Sequence, residues 1–195
     1  MSYKTFKEKI NDKTFIKEFQ GDFGIGNRMA LPKIKSVVVN VGIGRIVTQN
    51  AKPEELIKKI SAELAAITGQ KPVETKAKKA IASFKTRMGM TLGIKVTLHG
   101  QKMYDFLDRA INMAFPRTRD FRGLNNSGVD EAGNLTIGIK DHTVFPEATA
   151  DAAHTFSFEF TTVVSGSDRK KSLEFFKRLG FPLRALSASG ASGNK

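Results

Sequence analysis

The densest group of chemically active side chains in this chain is a basic segment at residues 71 to 95. Seven cations lie in it beside a single acid, Glu74, and two glycines, Gly89 and Gly93, interrupt it. The cations are Lys71, Lys76, Lys78, Lys79, Lys85, Arg87 and Lys95. Positive charge at this density, without an apolar period of 3.6 residues, is typical of a solvated loop that lies along the phosphates of a polyanion. A Lys-rich solvated surface without a ligand is the alternative interpretation of such a run.

The charge of the whole chain favours a polyanionic partner. The 195 residues include 32 Lys and Arg and 19 Asp and Glu, a formal net charge of +13 that is typical of nucleic-acid-binding proteins. The charge is unevenly spread, because residues 130 to 160 hold one base, Lys140, and six acids. The acids are Asp130, Glu131, Asp141, Glu147, Asp151 and Glu159. The sequence therefore predicts two surfaces of opposite sign and two kinds of partner.

A second group of cations lies in the sequence PRTRDFRG, residues 116 to 123. It places Arg117, Arg119 and Arg122 around Asp120, just after the end of a predicted helix. Asp120 could pair with one arginine and stabilise a turn. The arginines could equally face phosphate, because one carboxylate occupies only one guanidinium. The sequence leaves both interpretations open.

Patterns for catalysis and metal binding are missing from the sequence. The chain has no Cys, and its three histidines, His99, His142 and His154, are scattered and form no HExxH. Neither a GxSxG nucleophile elbow nor a GxxxxGK phosphate loop occurs. Gly42 and Gly44 follow a predicted strand, but the third glycine of a dinucleotide fingerprint would fall at Val47. The sequence predicts no catalytic residue, no metal and no cofactor.

The spacing of hydrophobic residues along the chain predicts the strands and helices that position the polar groups. Alternation predicts strands at residues 36 to 41, 91 to 99, 135 to 139 and 156 to 160. A period of 3.6 predicts helices at residues 5 to 20, from Pro53 with Gly69 as its stop, from Gln101 to Phe115 with Pro116 as its stop, and after the cap Asp168 until Gly180. Gly21 to Asn27 is expected to be a glycine-rich connector. These elements predict an α+β fold, in which helices cover one face of a mostly antiparallel sheet and leave the other face open.

We expect one domain over residues 1 to 195, with a mobile basic loop at 75 to 89 and a flexible tail at 187 to 195. No apolar stretch is long enough to span a membrane, and the charged N-terminus has no signal-peptide core. Without Cys there is no sign of an oxidising compartment, so we expect an intracellular protein.

The predicted open face suggests the kind of nucleic acid. If the strands align, it displays Ser36, Asn40, Lys95, Thr97, His99 and Thr136. Short hydrogen-bonding groups with a few cations suit ribose hydroxyls and the shallow minor groove of an RNA helix. The set contains no aromatic pair for base stacking, which favours paired or folded RNA over a single strand.

Five segments, always in the same order, carry a resemblance to a known family. They are LPKIKSVVVNVGIG (31 to 44), AAITGQKPVETKAKKAIASFKTRMG (65 to 89), GIKVTLHG (93 to 100), FPRTRDFRGL (115 to 124) and FPE (145 to 147). Over residues 31 to 182 the chain resembles the bacterial L-five family of ribosomal proteins, which bind 5S rRNA in the large subunit. The sequence departs from that family at His99, where arginine is usual, at Arg45, where an acid is common, and at the shortened stretch 148 to 155.

The resemblance implies a structural protein of the cytoplasmic ribosome and not an enzyme. The implied partners are 5S rRNA, 23S rRNA, P-site tRNA, a small-subunit head protein of the S-thirteen type and neighbouring large-subunit proteins, with no membrane. A basic regulatory or chaperone-like nucleic-acid protein outside the ribosome is the alternative.

The resemblance also implies site residues. Those expected to bind 5S rRNA are Asn40, Gln70, Lys71, Lys95 and Thr97, to which we add His99, Arg117, Arg119 and Arg122. Those expected to approach tRNA are Lys76, Lys78, Lys79, Ser83, Lys85 and Arg87. An intersubunit bridge is expected at Asp141 and Glu147, in the acidic stretch.

Overall fold

The computed structural model describes residues 5–49, 53–119, 121–148, 155–166 and 168–184. Five strands form one antiparallel sheet: Lys33–Gly42 (β1), Val73–Lys76 (β2), Thr91–Leu98 (β3), Leu135–Ile139 (β4) and Phe158–Ser165 (β5). The strand order is β2-β3-β1-β5-β4, so β1 lies at the centre. The predicted α+β class is confirmed. The described residues do not include the predicted tail at 187 to 195, nor do they include Asp120, Asp151 and His154.

The helices are Phe6–Asn11 (α1), Lys13–Phe23 (α2), Gly44–Gln49 (α3), Pro53–Thr68 (α4), Gly100–Arg109 (α5), Phe115–Arg117 (α6) and Arg169–Leu179 (α7), and a π turn at Ala110–Ala114 joins α5 to α6. The single helix predicted for residues 5 to 20 is wrong. Asp12 is extended, and its carboxylate accepts the Thr14 N–H at 3.1 Å, so it separates α1 from α2. Gly21 belongs to α2 rather than to a connector, and Gly24 ends that helix with φ +62°.

Two other predicted helices are close to the structure. The helix from Pro53 ends at Thr68, where Gly69 has φ +67°, as expected. The helix predicted for Gln101 to Phe115 ends two residues too early, because the chain stays helical through the π turn to Arg117 and Pro116 is accommodated in the first turn of α6.

The core lies between the helices and one face of the sheet. Val37, Val39 and Val41 of β1 are fully buried, whereas Val38 and Asn40 on the opposite face are partly exposed. Helix α5 covers the buried face, where the rings of Phe106 and Phe160 meet edge to face with centroids 5.3 Å apart. The alternation in the sequence therefore predicted correctly which face is covered.

The N-terminal helices pack against the last helix. Phe19 of α2 meets Phe175 of α7 edge to face at 6.0 Å. The guanidinium of Arg178 donates to Glu174 Oε1 at 3.1 Å and also to Asp22 of α2. Burial raises the pKa of the Tyr104 hydroxyl, whose ring lies beside Phe6. These contacts join the two ends of the described chain.

Residues 77–89, which we call the basic hairpin, extend β2 and β3 away from the sheet. Ala77 N donates to Met90 O at 2.8 Å, and Ile81 and Thr86 exchange two main-chain hydrogen bonds of 3.2 Å. The segment predicted as a loop thus contains the unpredicted strand β2. That strand was missed because it lies at the sheet edge with only Thr75 partly buried, which leaves no apolar alternation to detect.

Candidate nucleic-acid interface

The open face of the sheet presents two rows of side chains that run across the strands. The first row is Val73, Lys95, Asn40, Glu159 and Gly138, and the second is Thr97, Val38, Thr161 and Thr136. Neighbouring positions in a row are about 4.8 Å apart, so each row spans roughly 15–20 Å. The structure therefore brings Asn40, Lys95 and Thr97 together, as the alternation predicted.

Hydrogen bonds between neighbouring strands order the polar groups of this face. Asn40 Nδ2 donates to Glu159 Oε1 at 3.2 Å, and the hydroxyls of Thr136 and Thr161 lie 2.9 Å apart. Asn40 and Glu159 also line a shallow hollow of about 540 Å3, where Gly138 contributes no side chain. The face is thus polar and partly preorganised, with a carboxylate near its middle.

Glu159 is the main residue of this face that the sequence analysis misplaced. The prediction that it belongs to a separate acidic surface is wrong, because the register sets it beside Asn40. The alternation of Phe158 and Phe160, both buried, already puts Glu159 on the opposite face from the core. That signal was present in the sequence and could have found it.

The other residues predicted for this face lie at its margin. Gln70 Nε2 donates to the Thr97 carbonyl at 3.1 Å, which holds the start of β2 against β3, and Lys71 follows it at the exposed surface. His99 is exposed after β3, with Nδ1 3.2 Å from Lys35 O. Ser36 is only 8% exposed beside a bulge in β1, so the prediction that the open face displays it is wrong.

The basic hairpin and the adjoining Lys76 combine charge with exposed apolar side chains. Its predicted tRNA-contacting residues are all exposed: Lys76, Lys78, Lys79, Ser83, Lys85 and Arg87. The apolar side chains of Ile81, Phe84 and Met88 are exposed too, the last two by 70% and 76%. Among the described residues, no carboxylate forms an ion pair with these cations. Cations with an exposed ring are suited to phosphates and to the faces of bases.

The three arginines of PRTRDFRG do not join the cations at β2. Arg117 is exposed on α6, whereas Arg119 and Arg122 line a crevice beside β4. Strand β4 is at the opposite edge of the sheet from β2, four strand spacings or about 19 Å away. The cations therefore flank the open face on two sides. The interpretation in which Asp120 fixes the turn falls outside the described residues.

The two acids predicted for an intersubunit bridge have partners within the fold. Asp141 Oδ1 accepts the Thr143 N–H at 3.1 Å, and its side chain is about half exposed. Glu147 Oε1 accepts from Arg109 at 2.8 Å, and the same guanidinium donates to Ile67 O at 2.9 Å. Glu147 therefore links the segment 142–148 to α4 and α5, and Asp141 is the more available of the two acids.

Beside these acids lies a buried ionisable pair that the sequence analysis did not detect. His142 is 1% exposed and stacks on Phe156, with ring centroids 4.2 Å apart. Its Nδ1 accepts the Phe156 N–H at 3.4 Å, and its Nε2 lies 3.0 Å from Glu63 Oε2. The pair brings the segment 141–148 against α4.

Comparison with known proteins identifies the family. The sequence model of the family described as "Ribosomal protein L5" matches residues 27–87. A second family model, for the C-terminal part of the same ribosomal family, matches residues 91–183. Large ribosomal subunit protein uL5 of Dichelobacter nodosus (strain VCS1703A) is 42% identical over 184 residues, which are 93% of this chain and 97% of that protein. The chain belongs to the ribosomal protein L5 family.

Other relatives of the L5 family are equally similar to this chain. The uL5 protein of Geobacter sulfurreducens is 43% identical over 178 residues, which are 91% of this chain and 97% of the relative. That of Syntrophomonas wolfei is 44% identical over 183 residues, which are 93% and 98% of the two chains. The chain is therefore a ribosomal protein of the large subunit and not an enzyme, as its sequence segments predicted.

Two further observations concern the L5 fold of this chain. Within the ranges that the structure describes, no three His, Asp or Glu side chains are grouped so that they could hold a metal ion. No described helix is long and apolar enough to cross a membrane.

Proposed function

We propose that this chain holds 5S rRNA on the open face of its sheet, in the central protuberance of the large subunit. The observation that carries the proposal is the row in which Lys95, Asn40 and Glu159 lie side by side. Alternating donors, acceptors and a cation suit the base edges and ribose hydroxyls of a shallow RNA minor groove. 23S rRNA and neighbouring large-subunit proteins would surround this contact.

The character of the second row supports folded RNA as the ligand. Thr97, Thr161 and Thr136 provide short hydroxyl groups, and neither row contains an aromatic side chain. Base stacking on aromatic rings is the usual means of binding single strands. A duplex that lies across the rows needs only hydrogen-bonding groups and a few cations. Gln70, Lys71 and His99 at the margin, with the arginines beyond β4, would extend the contact.

We also propose that the basic hairpin contacts P-site tRNA. Its exposed cations project beyond the sheet on β2 and β3, away from the two rows. Phe84 and Met88, which are exposed among these cations, suit the unpaired or stacked bases of a folded tRNA.

For the intersubunit bridge we propose the segment around Asp141, with a basic head protein of the small subunit as its partner. Asp141 and Glu147 give this segment its negative charge, although Glu147 is already paired with Arg109. Opposite charges at the edge of such an interface would mainly set the rate at which the two subunits associate and their relative orientation.

The test of the sheet face is the double variant Asn40→Ala, Thr97→Ala, assayed by gel-shift titration with 5S rRNA. Both side chains point away from the core, so we expect the melting temperature to stay unchanged while affinity falls about 30-fold, at roughly 1 kcal/mol for each of the two lost hydrogen bonds. The control is Ser83→Ala, Thr155→Ala, which removes two exposed hydroxyls outside the rows. Equal affinities of the two double variants would contradict the proposal.

A further inference from the structure

A crevice of about 440 Å3 lies along the outer edge of β4. One wall is β4 with Lys140, and the other consists of residues 121–125, Arg119 and Arg184. The crevice lies at the opposite sheet edge from the basic hairpin and adjoins the ends of the two rows, because Thr136 and Gly138 also line it. It is therefore a separate feature from the hairpin.

The crevice is surrounded by cations. Arg119, Arg122, Lys140 and Arg184 all contribute to its lining. Arg184 is held in place, since its Nε lies 3.2 Å from both the Arg122 and the Gly123 carbonyl oxygens. Within the described ranges, no carboxylate lies within ion-pair distance of any of the four. A cluster of three guanidinium groups and one ammonium group favours a phosphate or carboxylate ligand.

Strand β4 also offers main-chain groups to a ligand. Apart from its pairing with β5, no main-chain hydrogen bond joins residues 136–140 to another described segment. The neighbouring turn covers the start of the strand, because a Cβ on Gly128 would lie 2.8 Å from Thr136 O. The free edge is thus only three or four residues long, shorter than the five or six of an ordinary strand. A compact ligand suits this edge better than an added peptide strand.

An aromatic ring completes the lining. Phe121 is half-buried at the crevice and stacks on Phe115 with ring centroids 5.3 Å apart and planes inclined by 2°. A ring fixed in this way can pack against a flat heterocycle. The crevice therefore offers a partner to each part of one nucleotide. The guanidinium groups suit its phosphate, the ring of Phe121 suits the face of its base, and the free main-chain groups of β4 suit the edge of its base.

We propose that the crevice binds a single unpaired nucleotide of RNA, with its phosphate between Arg119 and Arg122 and its base against Phe121. The volume of the crevice is large enough for a base and a ribose. This inference deepens the proposed RNA role of Arg119 and Arg122 and does not depend on the two rows of the sheet face.

The test uses the full-length protein and adenosine 5′-monophosphate as the probe, followed by two-dimensional amide NMR. We expect saturable shifts at residues 121–125 and 137–140 with millimolar affinity, and at least fivefold weaker binding for Arg119→Gln, Arg122→Gln. The control is Arg28→Gln, which removes an exposed arginine outside the crevice and should bind as the unmodified protein does.

Three outcomes would overturn the proposal. Inorganic phosphate that binds as tightly as the nucleotide would show an anion site only. Shifts centred on Asn40 and Lys95 would move the nucleotide to the sheet face. Shifts at the crevice with a Glu-rich peptide but none with the nucleotide would make it a protein-docking site. Since no 5S rRNA is present in the assay, failure of the sheet-face proposal would leave these results unchanged.

Discussion

At the scale of single residues, the charges of the first row have different consequences for RNA. Lys95 is exposed near one end of the row and can approach a phosphate, whereas Glu159 lies two strands away beside Asn40. A carboxylate repels phosphate but accepts hydrogen bonds from amino groups, such as the guanine N2 amino group in a minor groove. The RNA backbone should therefore pass near Lys95 and leave base edges over Glu159.

The salt dependence of binding tests this arrangement. Log affinity for 5S rRNA should fall linearly with log salt, and Lys95→Gln should reduce the slope by about one because one phosphate contact is lost. Glu159→Gln is the matched control on the same row, since it removes a charge that contacts no phosphate. Filter-binding titrations from about 50 to 200 mM salt measure both slopes. An unchanged slope for Lys95→Gln, or an equal loss in Glu159→Gln, would contradict it.

The exposed face was predicted correctly for residues inside regular strands. Asn40, Lys95 and Thr97 were predictable because period-two alternation is strict where Val39 and Val96 are buried. Ser36 keeps the register of Val38 and Asn40, opposite Val163, but it is only 8% exposed, and strand alternation alone does not show that a residue on the open face is covered. The partners of Glu147 and His142 come from α4 and α5, distant in sequence, so no local pattern could reveal them.

At the scale of elements, the basic hairpin is distinct from the strands that carry it. Thr75 and Lys76 pair with Gly93 and Thr91 of β3, so they belong to the sheet even though the sequence placed them in a loop. From residue 77 to residue 89 only Ala77 and Thr86 are partly buried. The expectation that this segment is mobile in the free protein stays a prediction, supported by its charge and its lack of core contacts.

Replacement of residues 77–89 by a short glycine linker tests the role of the hairpin. We expect the melting temperature and 5S rRNA affinity to change little, because no buried side chain is removed. Retention of P-site tRNA by reconstituted ribosomes should weaken, as measured by filter binding. The milder single change Phe84→Ser should give a partial effect. Loss of 5S rRNA binding at an unchanged melting temperature would instead place the hairpin in the 5S site.

At the scale of the whole molecule, positive charge lies at both sheet edges, and the acids are dispersed. Asp130 and Glu131 lie in the turn before β4, where Asp130 accepts from Asn134, Glu159 lies on the open face, and Asp141 and Glu147 lie in the segment 141–148. The prediction of one acidic surface over residues 130 to 160 is therefore too broad. The excess of positive charge, by contrast, follows from composition and was predictable in sign, although its distribution over two edges required the strand order.

Charge-reversal variants of Asp141 and Glu147 test the proposed bridge and distinguish it from effects on the stability of the fold. Asp141→Lys should weaken association of the subunits in sucrose gradients and leave 5S rRNA binding unchanged. Glu147→Lys should in addition lower the free energy of unfolding by about 2 kcal/mol, because the partly buried guanidinium of Arg109 would face a second cation. Urea denaturation measures the difference, and Glu131→Lys, an exposed acid on another turn, is the control. Weakened 5S rRNA binding with normal subunit association would refute the bridge.

The position of β1 has a consequence for how the protein is made. This strand is synthesised early, yet it pairs on one side with β5, which begins at Phe158, and α2 packs on α7, which ends at Leu179. During translation the edge of β1 that pairs with β5 and the ring of Phe19 must therefore wait until nearly the whole chain has emerged from the exit tunnel. An open central strand of this kind is a template for wrong pairing with other chains. A cell that produces this protein benefits when synthesis is completed without pauses between β3 and β5.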